Sequence, residues 1–372
     1  MFFDHAAGSP LRPEVAQAMV EVLTEQVPNP SGAHRAARAT AAILESAREA
    51  VAGQLGVTPR EIVFTSGGTE ACGIAFGASP LPSPVALSTV EHAAVSAPAA
   101  RRAGAEPLRW LEVDDQGVLD VEAALDRIER GSLVALMAAN NETGAIQPVV
   151  ELRHGLNDRG TEVTLFCDAI AAAPTEDLRP IVAASDLVAI AGHKLGGPPG
   201  AGVLVVRPSA SVDPLLVGGP QEGERRAGTQ NVAAAVGMAV ALELAAKDRA
   251  EGRLGSLRDR RDLMQETILH GVEAAVVTSS AAPRLSGHLH LTIEGLKSEE
   301  LLFALDRRGV AASAGAACAS GAPQASHVLL AMGMDPRRAR GALRLTLSTV
   351  TSDTEALEAA GHVIDAAASL LR

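Results

Sequence analysis

The stretch that decides the fold is LVAIAGHKLGGPPGAGVLVV, residues 187–206. Two apolar runs, 187–192 and 201–206, flank a loop of glycine and proline that contains a single lysine, Lys194. Uninterrupted apolar runs of this length predict strands that are buried on both faces, as in a parallel sheet covered by helices. Glycine and proline prevent the loop from continuing as a helix. The stretch therefore predicts an α/β protein with Lys194 at the end of a buried strand.

The rest of the chain repeats the alternation of short apolar runs with longer, alanine-rich stretches. Strands are predicted at EIVFTS (61–66), PVALST (84–89), SLVALMAA (132–139) and TLFCDA (164–169). The helical pattern is found at 13–27, 35–54, 69–77, 91–103, 120–130, 150–159, 231–248 and 255–272. Strands separated by helices predict a mostly parallel sheet. From about residue 285 the pattern changes, and HLHLTIEG (288–295), a helix near 298–308 and ALRLTLS (342–348) predict a smaller α+β unit after a junction at 231–253.

Composition limits the function classes. The 372 residues suggest two domains, and 47% hydrophobic with 20% charged residues are ordinary values for a globular protein with a sizeable core. A net charge of −12 and only 2% aromatic residues argue against a nucleic-acid binder. No signal peptide and no membrane-spanning segment is recognisable, and three cysteines cannot build a disulfide framework. We therefore expect a cytoplasmic protein that binds neither a membrane nor nucleic acid.

Polar residues follow the predicted strands, where ligands bind in open parallel sheets. The turn Ser66–Thr69 could hold a phosphate group with its backbone N–H groups and the start of a helix, or it could be an ordinary strand-to-helix turn. His92 could be a cap residue or a catalytic one. Asn141 lies in a segment that also suits a plain turn. Asp168 could bind a metal, a ribose or a protonated ring nitrogen.

Two residues are candidates for covalent chemistry. A partly buried Lys194 could act as a nucleophile or a base, because burial lowers the pKa of an ammonium group. Cys318 lies among very small residues, SAGAACASG (313–321), which leave a thiol uncrowded. Cys167, within an apolar strand, and Cys72, at the start of a helix, are interpreted as packing residues. No CxxC or HExxH spacing is present, so we expect no catalytic metal.

Taken together, the motifs resemble those of the cysteine desulfurases, the NifS/IscS-like members of the class V aminotransferase family. The resemblance covers nearly the whole chain in order: DHAA (4–7), NPSGAH (29–34), FTSGGTEA (64–71), EHAAV (91–95), NNETGAIQP (140–148), CDA (167–169), GHKLGGPPGAGVL (192–204), GGPQEGERRAGTQN (218–231), SAGAACASG (313–321) and ALRLTLS (342–348). It implies a fold type I architecture with a mostly parallel, seven-stranded-type sheet. It further implies a large cofactor domain, 13–250, and a small domain, 1–12 and 251–372, that carries the catalytic cysteine loop.

The resemblance also implies a cofactor, pyridoxal 5′-phosphate, and a role for each residue. Lys194 would link to the cofactor aldehyde and move the substrate Cα proton, and Asp168 would pair with the pyridinium nitrogen. Cys318 would attack the sulfur of L-cysteine, leaving a persulfide for an acceptor and releasing alanine. His92 would stack on the cofactor ring, Gly68 and Thr69 would bind its phosphate, and His193 would add a polar contact. Thr229 would bind the phosphate of the second subunit in a homodimer. Asn141 and Arg344 would bind the substrate carboxylate.

Several positions depart from the family pattern. Ala171 replaces a usual Gln, Ala191 a usual Ser and Gly73 a usual Asn, and Ser348-Thr349 replaces a usual Gly-Arg. These losses keep two alternatives open: a related enzyme of the same fold, such as a selenocysteine lyase, a cysteine β-lyase or a pathway-specific enzyme, and a non-catalytic sulfur-relay subunit. The acceptor also stays open among iron–sulfur scaffolds, tRNA thiolation, DNA sulfur modification and a sulfur-containing natural product.

Overall fold

The computed structural model describes residues 1–25, 28–77, 84–104, 106–315 and 325–371. Its strands are β1 Ile62–Thr65, β2 Val85–Ser88, β3 Arg109–Leu111, β4 Leu133–Ala135, β5 Thr164–Asp168, β6 Leu187–Ala191, β7 Gly202–Val206, β8 Ala275–Val277, β9 His288–Ile293 and β10 Ala342–Thr346. Its helices are α1 Pro13–Thr24, α2 Arg35–Leu55, α3 Gly68–Gly77, α4 Ala93–Ala103, α5 Val121–Arg127, α6 Val149–Asp158, α7 Arg179–Ala184, α8 Val232–Ala250, α9 Arg253–Gly271, α10 Ser298–Asp306, α11 His327–Ala331, α12 Pro336–Ala339 and α13 Asp353–Leu370.

The large sheet has seven strands in the order β1-β7-β6-β5-β4-β2-β3. Strands β3, β2, β4, β5 and β6 are parallel to one another, whereas β7 is antiparallel to both of its neighbours. Two antiparallel pairings in succession restore the direction, so β1 runs the same way as β6. The carboxyl ends of β1, β2, β4, β5 and β6 therefore meet at one edge of the sheet. The predicted α/β class and mostly parallel sheet are confirmed.

Burial explains why this sheet forms. All five residues of β6 and all five of β7 are buried, as continuous apolar runs require. Helices cover both faces, and one apolar core lies on each side of the sheet. Gly202 allows β7 to approach β1 closely, because a Cβ at this position would come within 2.7 Å of the Gly67 backbone. The turn that follows β1 is thereby held against the neighbouring strand.

A second, three-stranded antiparallel sheet has the order β10-β9-β8 and its own apolar core, to which Phe3, α9 and α13 contribute. Residues near the N-terminus join it, since Phe2 and Asp4 form bridges to Ala311 and Thr346. The domain boundaries at residues 12 and 250 stay a prediction. Within the described ranges, no helix is both long and apolar enough to cross a bilayer.

Several elements differ from the predictions. Strand β3 was not predicted, because two of its three residues, Arg109 and Trp110, are exposed. The predicted strand 132–139 forms a strand only at Leu133–Ala135, although the backbone N–H groups of Leu136 and Ala138 still donate hydrogen bonds to β5. Helix α3 begins at Gly68, one residue before the predicted start. Strand β8 and the helices α7, α11, α12 and α13 were also not predicted, although α13 is 18 residues long.

Candidate active site

Lys194 lies in a short 3₁₀ turn, Gly192–Lys194, immediately after β6. Its ammonium group donates to the backbone carbonyls of Ala6 and, at 3.0 Å, Ala7. The side chain is half-buried, so the amine does not extend into bulk water. The N-terminal segment is itself held, because the Ser9 amide donates to the His193 carbonyl at 2.8 Å. The structure therefore places Lys194 in a shielded position at the shared edge of the sheet.

Asp168 is the last residue of β5, the strand next to β6, and only 6% of it is exposed. Burial raises the pKa of its carboxyl to about 6, while the amide of Ile170 at 2.9 Å and the charge of Lys194 oppose that rise. Asp168 pairs with Ala189 of β6, and the turn that carries Lys194 directly follows β6, so acid and amine come from neighbouring strand ends. Two residues that are 26 positions apart in sequence are thus brought to one site by adjacent parallel strands.

Beside Asp168 lies a second buried acid, Glu91. Its Oε1 accepts the amide of Met137 at 2.6 Å, whereas its Oε2 is buried without a hydrogen-bond partner among the described residues. Burial first, and then the charge of Asp168, raise the pKa of Glu91 to about 8. The repulsion between the two carboxylates is mutual, and Asp168 has the lower pKa of the pair. Near neutral pH the negative charge of the pair is therefore mainly on Asp168.

His92 caps α4 at the end of β2, and its Nδ1 accepts the amide of Ala94 at 3.0 Å. Burial, Lys194 and His327 lower its pKa, so the imidazole is neutral at physiological pH. His193 likewise has a pKa lowered by burial and by Lys194. Both imidazoles therefore lie within the electrostatic reach of the lysine, as a common site requires.

The turn after β1 reaches the same edge. A side chain at Gly68 would overlap Cδ1 of Ile170, so α3 packs closely against the residues that follow Asp168. Thr69 is exposed in the first turn of α3. The N–H groups of that turn have no partner within the helix and carry partial positive charge, which favours an anion. The turn could therefore hold a phosphate group beside Asp168.

Arg344 comes from the middle of β10, in the second sheet, and is 2% exposed. Its Nη2 contacts Asp4 at 2.6 Å, and its Nη1 donates to the carbonyl of Asn141 at 2.9 Å. Its Nε is buried without a partner among the described residues. The predicted pair Arg344 and Asn141 is thus in contact, and Asp4 occupies part of the guanidinium.

Two neutral histidines flank Arg344. His288 and His290 alternate with Leu289 along β9, and burial together with the charge of Arg344 lowers the pKa of each imidazole to about 3. The Nε2 atoms of both rings are buried without a hydrogen-bond partner in the described part of the chain. Unpaired buried imidazole nitrogens next to an arginine mark a polar pocket, because such atoms ordinarily find a partner.

Thr229 lies on the loop 218–231, exposed, just before the Asn231 cap of α8. An ion pair anchors this loop: Glu222 accepts from both Nη atoms of Arg48 at 2.8 Å and from the amide of Phe64 at 2.9 Å. Glu222 also adopts a left-handed backbone with φ of 52°. Arg48 of α2 and Phe64 of β1 therefore hold the loop in place, and Thr229 is exposed on its surface.

We expect Arg48→Met to destabilise the protein by about 3–5 kcal/mol, because it leaves the Glu222 carboxylate buried and uncompensated. Urea unfolding measures the change. Arg130→Met, which removes an exposed partner of Glu162, is the matched control and should change the midpoint little. Equal effects of the two substitutions would contradict the anchoring role of Arg48.

The cysteines fall into two groups. Cys72 and Cys167 are free and fully buried, and burial followed by the charges of Asp168 and Glu91 raises the pKa of both thiols. These thiols stay protonated at neutral pH, which suits packing residues and not nucleophiles. Cys318 lies outside the described residues. The flanks of its segment meet at Glu142, whose Oε2 accepts from Ser326 at 2.5 Å and lies beside Gly315.

Comparisons with known proteins agree with this geometry. The family model described as aminotransferase class-V matches residues 1–357. The chain belongs to the class V aminotransferase family. An IscS-like cysteine desulfurase of Mycobacterium tuberculosis is 37% identical over 372 residues, covering 95% of this chain and 93% of the relative.

Solved structures support the same placement in the family. A NifS-like protein superposes with a TM-score of 0.91 at 27% identity, over 100% of both chains. DndA from Streptomyces lividans superposes with a TM-score of 0.74 at 30% identity, over 93% of this chain and 99% of DndA. The resemblance to NifS/IscS-like cysteine desulfurases and the fold type I architecture are confirmed.

Sequence reasoning missed several members of this family site. Glu91 and Glu142 directly adjoin the predicted residues His92 and Asn141 in sequence, and Asp4 lies in the quoted motif DHAA (4–7), yet acidic residues in loops ordinarily remain in solvent. His288 and His290 alternate with buried leucines along β9, so both imidazoles lie on one face of the strand. Arg344 lies on the same face, and the imidazoles share its environment. The alternation is therefore the sequence signal that could have identified both histidines. These acids and histidines differ from ordinary surface residues in their burial, which the sequence alone does not show.

Proposed function

We propose that the chain is a pyridoxal 5′-phosphate-dependent cysteine desulfurase that takes sulfur from L-cysteine, leaves it on Cys318 as a persulfide and releases L-alanine. Membership of a family whose relatives are named cysteine desulfurases supports the reaction type. The single structural observation that carries the proposal is the convergence of Lys194 and Asp168 at adjacent strand ends, with His92 beside them.

The residues at this edge fit the cofactor. A buried carboxylate on Asp168 matches a protonated ring nitrogen, and the start of α3, where backbone N–H groups point out of the helix, matches a phosphate. His92 would stack on the ring, Gly68 and Thr69 would hold the phosphate, and His193 would add a polar contact. When bound, the cofactor supplies an electron sink for the carbanion that forms at the substrate Cα.

The chain's own groups would divide the remaining work. The Nζ of Lys194 would hold the cofactor aldehyde at rest and then move the Cα proton of the substrate. Arg344 would bind the substrate carboxylate, with Asn141 beside it, after its contact with Asp4 is exchanged. The thiolate of Cys318 would attack the substrate sulfur. The flanks of its segment support this role, since Gly315 and Ser326 both adjoin Glu142 and the Gly315 carbonyl lies 3.4 Å from Arg344.

We further propose a cytoplasmic homodimer in which Thr229 contacts the phosphate bound by the second copy. The exposed apolar residues Leu216 and Val217, 48% and 87% exposed, precede the loop that carries Thr229 and support a covered surface there. A persulfide acceptor of still open identity would complete the cycle.

Product analysis tests the proposed reaction. Purified protein supplied with L-cysteine and a thiol reductant should yield alanine and sulfide in equal amounts. Pyruvate with ammonia would indicate β-elimination instead, and preference for selenocysteine would indicate a lyase for that substrate. Absence of any product from protein saturated with cofactor would favour a non-catalytic relay subunit. Each of these three outcomes would overturn the desulfurase assignment.

We expect Arg344→Lys to raise the KM for cysteine by about 10- to 100-fold, with a smaller change in kcat. The substitution keeps the positive charge but loses the planar fork that binds a carboxylate at two points, a loss of ~1.5–3 kcal/mol. Steady-state kinetics measure it. Arg338→Lys, at a second arginine that contacts β9 through Thr292, is the matched control. An unchanged KM in Arg344→Lys would remove this residue from substrate binding.

A further inference from the structure

Glu142 lies beside described residues on both sides of Cys318. It is 3% exposed, and its Oε2 accepts the hydroxyl proton of Ser326 at 2.5 Å. The same oxygen faces Gly315, where a Cβ would come within 3.0 Å of it. Gly315 also has a φ of 94°, a backbone conformation that favours glycine. One buried carboxylate oxygen therefore adjoins a residue that precedes Cys318 and a residue that follows it.

The turn that carries Glu142 is tied to both sheets. The Oδ1 of Asn140 accepts the amide of Glu142 at 2.9 Å, which is the hydrogen bond of an Asx turn. The Nδ2 of Asn140 donates to the carbonyl of Val90, after β2, at 3.2 Å. On the other side, the carbonyl of Gly144 accepts the amide of Leu285, before β9, at 2.9 Å. Contacts with both sheets therefore fix the place of Glu142.

The hydroxyl of Ser326 has one proton, and its surroundings determine where that proton goes. Ser326 caps α11, and its Oγ accepts the amides of Val328 and Leu329 at 3.1 and 3.3 Å. Because both of those groups are donors, the hydroxyl proton is left for Glu142. Ser326 is 4% exposed, so bulk water has little access to the hydroxyl. Glu142 therefore completes the cap and orients the start of α11.

Helix α11 is also attached to the large sheet. Its Leu329 is buried in a small apolar core with Val90 and Met137, which follow β2 and β4. The Nε2 of His327 donates to the carbonyl of Glu91 at 3.1 Å. The chain that follows Cys318 is thus docked on the edge of the sheet where the predicted site residues meet.

The chain that precedes Cys318 is attached to Arg344. The backbones of Ser313 and Arg344 exchange two hydrogen bonds, at 2.6 and 3.2 Å, so Ser313 pairs with β10 as a neighbouring strand would. The carbonyl of Gly315 accepts from the Nη1 of Arg344 at 3.4 Å. Both sides of the cysteine segment are therefore held within the family site, and Glu142 adjoins both.

We propose that Glu142 is a positioning residue for the proposed desulfurase reaction, on which this inference rests. By holding Gly315 and Ser326 together, Glu142 places the thiol of Cys318 for attack on the sulfur of the bound cysteine. Attack needs the reacting atoms in line and close together, and a displacement of about 1 Å can cost about 100-fold in rate. Glu142 acts through its neighbours and does not touch the reacting atoms.

The step that depends on this placement is balanced without an oxidant. An S–S bond forms between Cys318 and the substrate sulfur, while the Cβ–S bond of cysteine breaks. The electron pair of that bond stays on Cβ. Cβ takes up one proton, and the Cys318 thiol loses one. Thiol and cysteine thus give persulfide and alanine.

The rate at which sulfur appears on Cys318, followed by protein mass over a range of L-cysteine concentrations, tests the proposal in cofactor-loaded protein. Glu142→Ala should lower the maximal rate about 10- to 100-fold. The half-saturating cysteine concentration should stay within about twofold, because Arg344 keeps its contact with Asn141. Glu142→Gln keeps an oxygen that can accept from Ser326 and should recover most of the rate.

The cap of α13 supplies matched controls. Ser352 caps that helix and donates to Glu355 at 3.0 Å, which is the same arrangement at an exposed position. Ser352→Ala and Glu355→Ala should leave the rate unchanged. Ser326→Ala should reproduce the loss seen in Glu142→Ala, and the double variant should be no slower than either single one, because the two groups share one hydrogen bond. Ser326→Ala also tests the proposal if Glu142→Ala does not fold.

Amide hydrogen exchange in the cofactor-free protein provides a readout that does not depend on activity. The amides of Val328 and Leu329 donate to the hydroxyl that Glu142 orients. They should therefore exchange about tenfold faster in Glu142→Ala than in the parent. Glu142→Gln and Glu355→Ala should leave their exchange unchanged.

The outcomes separate this inference from the proposed reaction. In a parent protein that loads sulfur onto Cys318, three results would overturn the role of Glu142 alone: an unchanged maximal rate in Glu142→Ala, an equal loss in Glu142→Gln, or a change confined to the half-saturating cysteine concentration. Unchanged exchange of both amides in Glu142→Ala would do the same. A cofactor-loaded parent that acquires no sulfur would refute the proposed reaction, and the role of Glu142 would fall with it.

Discussion

Replacing Lys194 with alanine should lower cysteine turnover by about 10²–10⁴-fold or more and abolish the covalent attachment of pyridoxal phosphate. The rate loss follows from removing the group that would move the Cα proton, since a positioned acid or base contributes that much. The loss of attachment follows from removing the amine. Borohydride reduction followed by peptide mapping measures attachment without reference to activity.

The chain offers an unusually clean control, because it contains only three lysines. Lys247 and Lys297 have side chains 61% and 67% exposed, and both belong to surface ion pairs. The double variant Lys247→Ala/Lys297→Ala should keep both the label and the activity. A reduced cofactor found on Lys247 or Lys297 in the parent protein, and not on Lys194, would contradict the site.

Replacing Glu91 with glutamine should stabilise the cofactor-free protein more and more as the pH rises from about 5 to about 8. The unfolded glutamate ionises near its ordinary pKa, whereas burial and Asp168 raise the pKa of the folded one to about 8. Between these values the unfolded state releases a proton that the native state retains, so the unfolding free energy of the parent falls with pH. Glutamine removes this loss.

The expected difference between pH 5 and pH 8 is on the order of a few kcal/mol, since one pKa unit corresponds to about 1.36 kcal/mol. Urea unfolding at several pH values measures it. His288 and His290, whose pKa values are lowered, are present in both proteins and cancel in the comparison, whereas Asp168 is part of the effect, because its charge helps to raise the pKa of Glu91. Glu49→Gln, at an exposed position in α2, is the matched control, and parallel pH profiles for parent and Glu91→Gln would sink the interpretation.

The main sheet could be predicted because its strands are buried on both faces, and such strands read as uninterrupted apolar runs. The site followed from topology: Asp168 and Lys194 end neighbouring parallel strands, and β1 reaches the same edge through two antiparallel pairings. Strand β3 escaped prediction because Arg109 and Trp110 face solvent, so no apolar run marks them. Local pattern thus reveals the strands that are buried on both faces and misses short edge strands, and the 18-residue helix α13 also escaped prediction.

The contacts that cross between the two sheets could not be predicted. Nothing local indicates that Asp4 reaches Arg344, 340 residues away, or that Glu91 is buried beside Asp168. The packing of the N-terminal segment against the end of α8 is a third such contact, as shown by the Arg12–Asp248 ion pair. Such features arise from the packing of distant segments, which single-sequence periodicity does not encode.

The most direct test of the proposed function is the mass of the intact protein after brief exposure to L-cysteine without reductant, followed by peptide mapping of the added sulfur. We expect one additional sulfur atom, located on Cys318 and lost on reduction, with none acquired by Cys318→Ala although that variant retains the cofactor on Lys194. Sulfur added to Cys318→Ala as readily as to the parent, or no sulfur added to a parent protein that carries its cofactor, would contradict it.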